Sequence, residues 1–253
     1  MKKKNWFVPS HNEMIAYSAC LHVILVYFIF NSEAWQWAIC LLVYYIKMVV
    51  GTVTVHRLIT HRSFKAPKWF EYLGTLIAIP GTTLPMLYWV AIHRAHHRYS
   101  DTKDDPHSPA VYGFWAVQFR LTPAIPKLSY APEIVKSKFH MHMYYNHWLY
   151  TILVGAAIYM IDPYAVVYAY LVPSLLLQHA SSLTNSLTHS PSGYRNFETR
   201  DNSQNNFILG YLAWGQGWHN NHHYAPASYD FGKGVSGKWW EIDPCRIFIP
   251  FLK

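Results

Sequence analysis

The chain has 253 residues, of which 52% are hydrophobic and 13% are charged, against about 25% charged residues in a typical soluble domain. This composition argues against an ordinary soluble domain and favours a membrane protein. The net charge of +8 at pH 7 is compatible with nucleic-acid binding or with a face turned towards anionic lipid. Because the basic residues are dispersed and lie beside apolar segments, we favour the lipid and expect no nucleic-acid partner. Cys20, Cys40 and Cys245 lack CxxC spacing, which predicts small buried side chains rather than disulfides or a thiolate metal site.

Four apolar segments in two pairs are predicted to span a bilayer. The first pair covers residues 14–30 and 34–55, and the second pair covers 146–161 and 164–185. Each segment approaches the roughly 20 residues that a spanning helix needs, and each pair is joined by a short polar turn, which predicts a helical hairpin. Lys2 to Lys4 and the arginines after the second segment lie at the same side, so the positive-inside rule places both termini in the cytosol.

The segments between and after the hairpins, 56–145 and 186–253, are predicted to form a cytosolic cap. Within the cap, Trp69 to Val90 is apolar but is interrupted by Pro80-Gly81 and Pro85. Such breaks predict a surface helix followed by a loop rather than another span. We therefore expect one domain, 1–253, which is an all-α, multi-pass membrane protein with four transmembrane helices and a helical cap.

Histidine is concentrated in three clusters: His56 with His61, then His93, His96 and His97, then His219, His222 and His223. Neutral imidazole is the commonest metal ligand and suits iron, zinc and copper. Residues three and four apart share a helix face, so each trio is predicted to deliver its ligands to one small volume. The five-residue spacing of His56 and His61 suits a point where the helix loosens. A ninth candidate, His189, follows Asn185 by four residues, and Asn185 could bind a metal directly or hold a water.

Nine imidazoles exceed what one ion binds, so the count predicts two ions in the cap with open or water-filled positions. Structural zinc sites are four-coordinate and usually include Cys, whereas a nearly all-histidine pair suits iron and oxygen chemistry. Carboxylates are expected to orient the imidazoles, and the candidates are Asp101, Asp104, Asp105, Asp201 and Glu241. The remaining histidines are interpreted as structural: His11, His22, His107, His140, His142, His147 and His179.

These motifs resemble those of the integral-membrane fatty acid desaturases, most closely the Δ9 (stearoyl-type) acyl desaturases. The resemblance runs from about the second span to the C-terminus. The matching stretches are Val55–Leu58, His61–Lys65, His93–Asp101, Asp105–His107, Asn185–His189, Gly193–Arg195, Asp201–Ser203, Gly217–His223 and Trp239–Asp243.

The resemblance implies a cytosolic di-iron centre whose ligands are the nine clustered histidines, with Asn185 holding a water on one metal. It implies no catalytic residue beyond these ligands. The implied reaction is O₂-dependent removal of two hydrogens from a saturated acyl chain, giving a cis double bond at Δ9. The acyl group would be carried as a lipid, a CoA ester or a carrier-protein ester, and electrons would come from a separate ferredoxin or cytochrome b5.

Three positions depart from the family pattern. An Arg-Asp pair that helps acyl-CoA members bind the CoA head group is replaced here by Ala91-Ile92, which favours a lipid-bound acyl chain. A common Trp is replaced by Ser182, and the usual Glu before Gly217 is Gln216. The last two changes alter the surroundings of the ligands rather than the ligands themselves.

The resemblance also indicates an acyl tunnel. Tyr44 and Met48 match positions at its end, and Trp89 matches a residue that lines its bend. Because Met48 is bulkier than the small residue often found there, we expect a short tunnel that favours palmitoyl-length chains or shorter. Ordinary helix packing is the alternative role for Tyr44 and Met48.

Two other functions fit the same sequence. The first is an acyl hydroxylase or acetylenase on the same scaffold, because removal of the first hydrogen is common to all three reactions. The second is a histidine-rich membrane metal transporter. Transporters place ionisable ligands near the bilayer midplane, whereas the clusters here follow the predicted spans, so we favour the enzyme.

Overall fold

The computed structural model describes residues 7–122 and 127–249, and in this part of the chain all regular structure is helical. The α-helices are α1 (His11–Asn31), α2 (Ala34–Val50), α3 (Lys68–Ala78), α4 (Met86–Tyr99), α5 (Pro109–Tyr112), α6 (Phe114–Gln118), α7 (Pro132–Lys136), α8 (Lys138–Tyr145), α9 (His147–Tyr159), α10 (Val172–Thr188), α11 (Phe207–Leu212), α12 (His219–Tyr224) and α13 (Lys233–Ser236). α2 continues directly into a π-helical stretch, Gly51–Thr60, which we call the π segment. A second π-helical stretch, Val167–Leu171, leads into α10, and 3₁₀ turns cover Leu128–Tyr130 and Pro244–Ile247.

The first two helices form the predicted N-terminal hairpin. Ser10 caps α1, because its hydroxyl accepts from the Glu13 amide while the Glu13 carboxylate accepts from the Ser10 amide, a reciprocal capping box. By length and composition, α1 with 21 residues and the continuous helix Ala34–Thr60 with 27 residues are able to cross a membrane. Their outer faces are apolar and open, with Phe30 81% and Leu42 60% exposed. An apolar surface of this kind is what a helix presents to lipid.

The predicted second hairpin corresponds to two helices of different character. α9 is apolar but has only 13 residues, fewer than the roughly 20 needed to cross a bilayer unaided. Its partner, α10 with the stretch before it, carries a buried polar face that includes Ser174, Gln178 and Asn185. The two helices lie side by side, since the Tyr170 hydroxyl donates to the Thr151 carbonyl at 2.9 Å. Four spans therefore stay a prediction.

The π segment is the centre of the fold. Every residue from Thr52 to Thr60 is buried, and α3 and α4 both pack against this stretch. The cluster that joins them contains Val55, Ile59, Leu87 and Val90. The turn between α3 and α4 passes through Gly81 at φ +83°. This confirms the helix and loop expected between Trp69 and Val90.

The cysteines are all free. Cys40 and Cys245 are buried as expected, but Cys20 is exposed on α1. The prediction of a buried Cys20 is wrong because this position falls on the outer face of the helix.

The close approach of α3 to the π segment depends on Gly74. A methyl group added to Gly74 would overlap the side chain of Thr54, which is fully buried and has no room to move. We expect Gly74→Ala to lower the free energy of unfolding by about 1–3 kcal/mol, as overpacking does elsewhere. Thermal unfolding of the purified protein in detergent, followed by circular dichroism, measures this change.

Gly155→Ala on α9 is the matched control. Its methyl group would lie 3.4 Å from the Tyr170 ring, which is an ordinary contact. Since alanine is favoured over glycine within helices by about 0.5–1 kcal/mol, this variant is expected to be as stable as the parent or more so. Equal stability of the two variants would show that α3 can move away from Thr54 without cost.

Candidate metal centre and acyl cavity

The nine clustered histidines converge with their Nε2 atoms facing one another, and they form two groups. The first group contains His56, His61, His93 and His222. His97 joins it, because its Nε2 lies 2.9 Å from that of His222 and 3.1 Å from that of His93. The second group contains His96, His189, His219 and His223. The split is five imidazoles and four, which matches the count expected for two ions.

Neither histidine trio serves a single group, so the expectation of one small volume per trio is wrong. On α4, His93 and His97 belong to the first group and His96 to the second. On α12 the arrangement is reversed, with His219 and His223 in the second group and His222 in the first. The reason is geometric: at about 100° per residue, positions four apart differ by about 40°, while the position three along lies about 60° from the first in the opposite direction, so the trio spans about 100°. Each helix therefore supplies both groups.

His56 and His61 reach the same group because the helix between them is π-helical. The His61 amide donates to the His56 carbonyl at 3.1 Å, a bond that spans five residues. The hydroxyl of Thr60 makes a similar five-residue bond to the Val55 carbonyl at 2.7 Å. Single π turns occur frequently at functional sites. The prediction that the helix loosens here is confirmed.

Three carboxylates hold the outer nitrogens of the second group. Asp105 lies 2.8 Å from His96 Nδ1, and Asp101 lies 2.8 Å from His189 Nδ1. Asp201 is at the same distance from His223 Nδ1. These three predicted partners are confirmed, but the other two are wrong. Asp104 is exposed, and Glu241 accepts from the side chains of Asn196, Asn221 and Tyr194 instead of an imidazole.

The first group has a different environment. The Nδ1 atoms of His56 and His222 are buried and contact no hydrogen-bond partner in the described part of the chain. Burial and the neighbouring imidazoles lower the pKa of His61, His93, His97 and His222 well below its usual range. Burial and neighbouring imidazoles do the same to His219 and His223 in the second group. These six rings are therefore neutral, which is the form of histidine that binds metals.

The second group fits a cation on its own geometry. Burial tends to raise the pKa of Asp105, but the hydrogen bonds from the His96 ring and the His107 amide outweigh it and hold that pKa below its usual range. An ionised carboxylate accepts the Nδ1 proton, so Nε2 of a neutral ring is left bare. Bare Nε2 atoms of His96 and His189 would then face each other at 3.1 Å. Lone pairs at this distance repel unless a cation lies between them.

The spacing of the donor atoms also bears on the metal. The close Nε2 pairs in the two groups are separated by 2.9–3.2 Å. A metal–imidazole bond of about 2.0–2.1 Å separates neighbouring nitrogens by about 2.9 Å at right angles and by about 3.4 Å in a tetrahedron. The observed values are nearer to right angles, so the donor sets fit more than four ligands per ion.

The sequence interpretation missed His107. Its ring centroid lies 4.5 Å from that of His96, and its side chain forms a third possible metal-binding set with His96 and Asp105. Its Nε2 is buried without a partner among the described residues. Asn185 donates to the His107 carbonyl at 3.0 Å. The signal was the Asp105-Pro106-His107 stretch just after the second cluster, which had been read only as a matching motif.

A cavity of about 400 Å³ adjoins both imidazole groups. His56 and His93 of the first group line it, together with His219 of the second and Asn185. The rest of the wall is mainly apolar, and it includes Met14, Ile15, Met48, Val55, Ala78, Ile79, Leu84, Trp89, Ile92 and Leu177. Of the three predicted tunnel residues, Met48 and Trp89 are on this wall. Tyr44 is not among the lining residues, and its ring packs against Tyr45 with centroids 5.0 Å apart.

Comparison with known proteins agrees with this architecture. The sequence profile of the fatty acid desaturase family matches residues 32–236. The chain belongs to the fatty acid desaturase family. It is therefore an oxidoreductase that acts on fatty acyl chains.

Three curated relatives illustrate the similarity. An acyl-CoA C20 Delta5-desaturase of Anemone leveillei is 31% identical over 245 residues, covering 92% of this chain and 76% of that protein. An sn-1 stearoyl-lipid 9-desaturase of Synechocystis is 30% identical over 248 residues, covering 94% and 76%. Delta-9 acyl-lipid desaturase 1 of Arabidopsis thaliana is 31% identical over 250 residues, covering 93% and 78%.

The positions that depart from the family pattern lie around the cavity of this desaturase. Ala91 is fully buried and Ile92 is on the cavity wall. Gln216 also lines the cavity, and its amide donates to the Thr52 hydroxyl at 3.1 Å. Ser182, which stands where a Trp is common, accepts a hydrogen bond from Arg120 at 3.4 Å. These changes leave the histidine groups intact and alter the space beside them.

Proposed function

We propose that this desaturase uses O₂ to insert a cis double bond at Δ9 into a saturated acyl chain carried on a lipid. The observation that carries the proposal is the position of the cavity. A mainly apolar cavity has His56 and His93 on its wall together with His219, so it adjoins both imidazole groups. An acyl chain in this cavity lies directly against the place where metal chemistry would occur.

Two iron ions would be held by the two groups, one by His56, His61, His93, His97 and His222, and the other by His96, His189, His219 and His223, with Asn185 holding a water. When bound, this pair supplies the reduction of O₂ that takes two hydrogens from neighbouring methylene groups, with electrons delivered by a separate ferredoxin or cytochrome b5. Imidazole suits several metals, and the spacing of the Nε2 atoms favours a site with more than four ligands.

The contribution of the protein is to position the chain and to exclude water. Trp89 stacks on His93 with ring centroids 4.8 Å apart and an interplanar angle of 11°. The indole thereby fixes one ligand and forms part of the wall at the same point. Val55 and Ile79 add apolar surface beside it. Holding one C–C bond of a flexible chain beside the reactive centre lowers the entropic part of the barrier.

A lipid-bound substrate is supported by two observations. The Ala91-Ile92 pair is apolar and packed into the protein, where acyl-CoA members carry a charged pair. Relatives named as acyl-CoA desaturases and as stearoyl-lipid or acyl-lipid desaturases all match this chain over more than 90% of its length, so they do not separate the two carriers. The open apolar faces of α1 and α2 suit an enzyme that takes its substrate from the bilayer. We propose four spans in two hairpins, with both termini and the histidine groups in the cytosol.

The test is fatty acid analysis of a desaturase-deficient host that expresses this chain beside a compatible ferredoxin. Desaturation gives a new cis monoene two mass units lighter than its precursor, and its bond position tests Δ9 directly. Separation of phospholipids, galactolipids and acyl-CoA before hydrolysis identifies the carrier. If the protein is present in the membranes and the product is hydroxylated, the activity is that of the related hydroxylase and the proposal of desaturation is wrong.

The length of the acyl chain provides a separate prediction. Met48 lies on the cavity wall, on α2, two turns before His56. Because alanine would extend the apolar space at this end, we expect Met48→Ala to shift the products from palmitoyl-length monoenes towards longer ones. The ratio of the two products in the host measures the shift. Tyr44→Ala is the matched control, since its side chain is not on the wall. An unchanged ratio in the Met48 variant would show that this residue does not limit chain length.

A further inference from the structure

Arg120 places a positive charge on the wall of the acyl cavity. It follows α6 and has a positive φ of 54°, a conformation that is uncommon for residues other than glycine. Its Nε donates to the Ser182 hydroxyl at 3.4 Å, and one terminal nitrogen donates to the Thr83 hydroxyl at 3.2 Å. Both partners also line the cavity. The side chain is therefore directed into the cavity wall rather than out to solvent.

No acidic side chain neutralises this arginine. In residues 7–122 and 127–249, no Asp or Glu lies within 4.0 Å of the Arg120 guanidinium, whereas Arg57, Arg94 and Arg246 each contact a carboxylate. Burial lowers the pKa of Arg120 to about 10, so the group is still charged at neutral pH. Arg120 is half-buried, so its charge is partly removed from water without a counter-ion, which carries a cost that an anion in the cavity would reduce.

A hydrogen-bonded chain holds Arg120 in position without neutralising it. The Thr83 hydroxyl that accepts from Arg120 donates to Gln178 Oε1 at 2.7 Å. The Gln178 amide in turn donates to the Ser18 hydroxyl on α1 at 3.0 Å. All of these side chains are buried. The guanidinium is thus connected to α10 and α1 through uncharged groups, which fix its direction and leave its charge for a ligand.

Arg120 also lies near the reactive part of the cavity. Ser182, which accepts its hydrogen bond, precedes Asn185 by three residues on α10, a rise of about 4.5 Å along the helix axis. Ser181 and Thr122 also line the cavity. If the polar head of an acyl substrate binds Arg120, its acyl chain can therefore extend along the cavity beside the imidazole groups.

We propose that Arg120 binds the oxyanion at the head of the acyl substrate, which is the carboxylate of a free fatty acid or the phosphate of a phospholipid. Guanidinium forms strong charge-assisted hydrogen bonds to both groups. This role rests on the proposed function, because it assumes that the cavity holds an acyl chain. Ser182 makes it possible, since the smaller side chain both leaves space and accepts from Arg120 Nε.

The proposal is tested by ligand binding rather than turnover. The full chain is purified in detergent without added iron, and displacement of a fluorescent fatty acid is measured with palmitate, a phosphatidic acid with palmitoyl chains, and hexadecanol. For Arg120→Gln we expect binding of at least one oxyanion ligand to weaken about 10- to 100-fold, as loss of a charged hydrogen bond predicts. The affinity of the variant for hexadecanol is expected to change less than about threefold, because this ligand carries no charge. Arg98→Gln, at an exposed arginine, is the matched control.

The two charged ligands identify the source of the oxyanion. Weaker binding of palmitate alone indicates a free fatty acid, and weaker binding of phosphatidic acid alone indicates a phospholipid. Unchanged binding of both, or an equal loss for hexadecanol, would overturn the proposal, because Arg120 would then only shape the wall. If Arg120→Gln does not fold, Arg120→Lys is used instead, because lysine keeps the charge but cannot form the paired hydrogen bonds of a guanidinium. We then expect the affinity for the oxyanion ligands alone to fall about 3- to 10-fold. Binding needs no turnover, so failure of desaturation in the host leaves this result independent.

Discussion

Replacing His96 by alanine is expected to reduce the bound metal from two ions per chain to one and to lower monoene formation more than about 100-fold. His96 is fully buried, and its Nε2 faces that of His189 at 3.1 Å. Removing the ring leaves three imidazoles in the second group and frees Asp105, which is buried and ionised. The first group keeps all five rings, so one ion is expected to stay.

Metal content is measured by mass spectrometry of the purified protein after reconstitution with ferrous iron. His142→Ala is the matched control, because this imidazole is exposed and contacts the Tyr150 hydroxyl rather than either group. The control is expected to keep two ions and full product formation. Two ions retained in the His96 variant would contradict the assignment of this residue as a ligand.

Asp105→Asn separates the role of the carboxylate from that of the ring. An amide can still accept the Nδ1 proton of His96, but it carries no charge to increase the basicity of the imidazole. Loss of such a partner elsewhere costs about 10–100-fold in metal affinity or activity. We expect a loss in this range at the second group, smaller than that of His96→Ala. A loss equal to that of His96→Ala would indicate that Asp105 is needed for folding of the site.

The histidines that converge were readable from the sequence because spacing on a helix is a local property. The five-residue spacing of His56 and His61 indicated an irregular helix before the π segment was seen. The distribution between the two groups was not readable, because it depends on how α4 and α12 face each other across the site. A face about 100° wide can serve one volume or two, and only the packing of the helices decides which.

Contacts between side chains that are distant in the sequence were harder to predict. Asp101 and Asp201 come from separate loops, and only the tertiary structure shows that they contact His189 and His223 while Asp104 points outwards. The lack of a carboxylate beside Arg120 in residues 7–122 and 127–249 is also a tertiary property, because it depends on every element that packs around the cavity. The second predicted hairpin is less apolar than the first for a physical reason. The polar face of α10 lowers its hydropathy but packs against α2 and the cavity instead of lipid.

Arg57→Gln is expected to lower the free energy of unfolding by about 3–5 kcal/mol, the cost of breaking a buried ion pair by removing one partner. Arg57 lies in the π segment between His56 and Leu58, and both it and Asp243 are fully buried, with their charged atoms 2.8 Å apart. Arg57 also donates to the Tyr229 carbonyl at 2.7 Å and packs over the Phe231 ring. The pair therefore connects the segment that carries His56 to the C-terminal part of the chain.

The loss of Arg57 leaves Asp243 buried without its counter-ion, although it still accepts from the amides of Phe231 and Cys245. Arg246→Gln is the matched control, because its pair with Asp230 has an arginine that is 45% exposed, and exposed pairs contribute about 0–1 kcal/mol. Thermal unfolding and metal content are measured for both variants. We expect the Arg57 variant to lose stability and iron from the first group together, because His56 is the neighbouring residue on the same π turn. Stability equal to that of the Arg246 variant would mean that the amides of Phe231 and Cys245 alone hold the C-terminal part of the cap on the π segment.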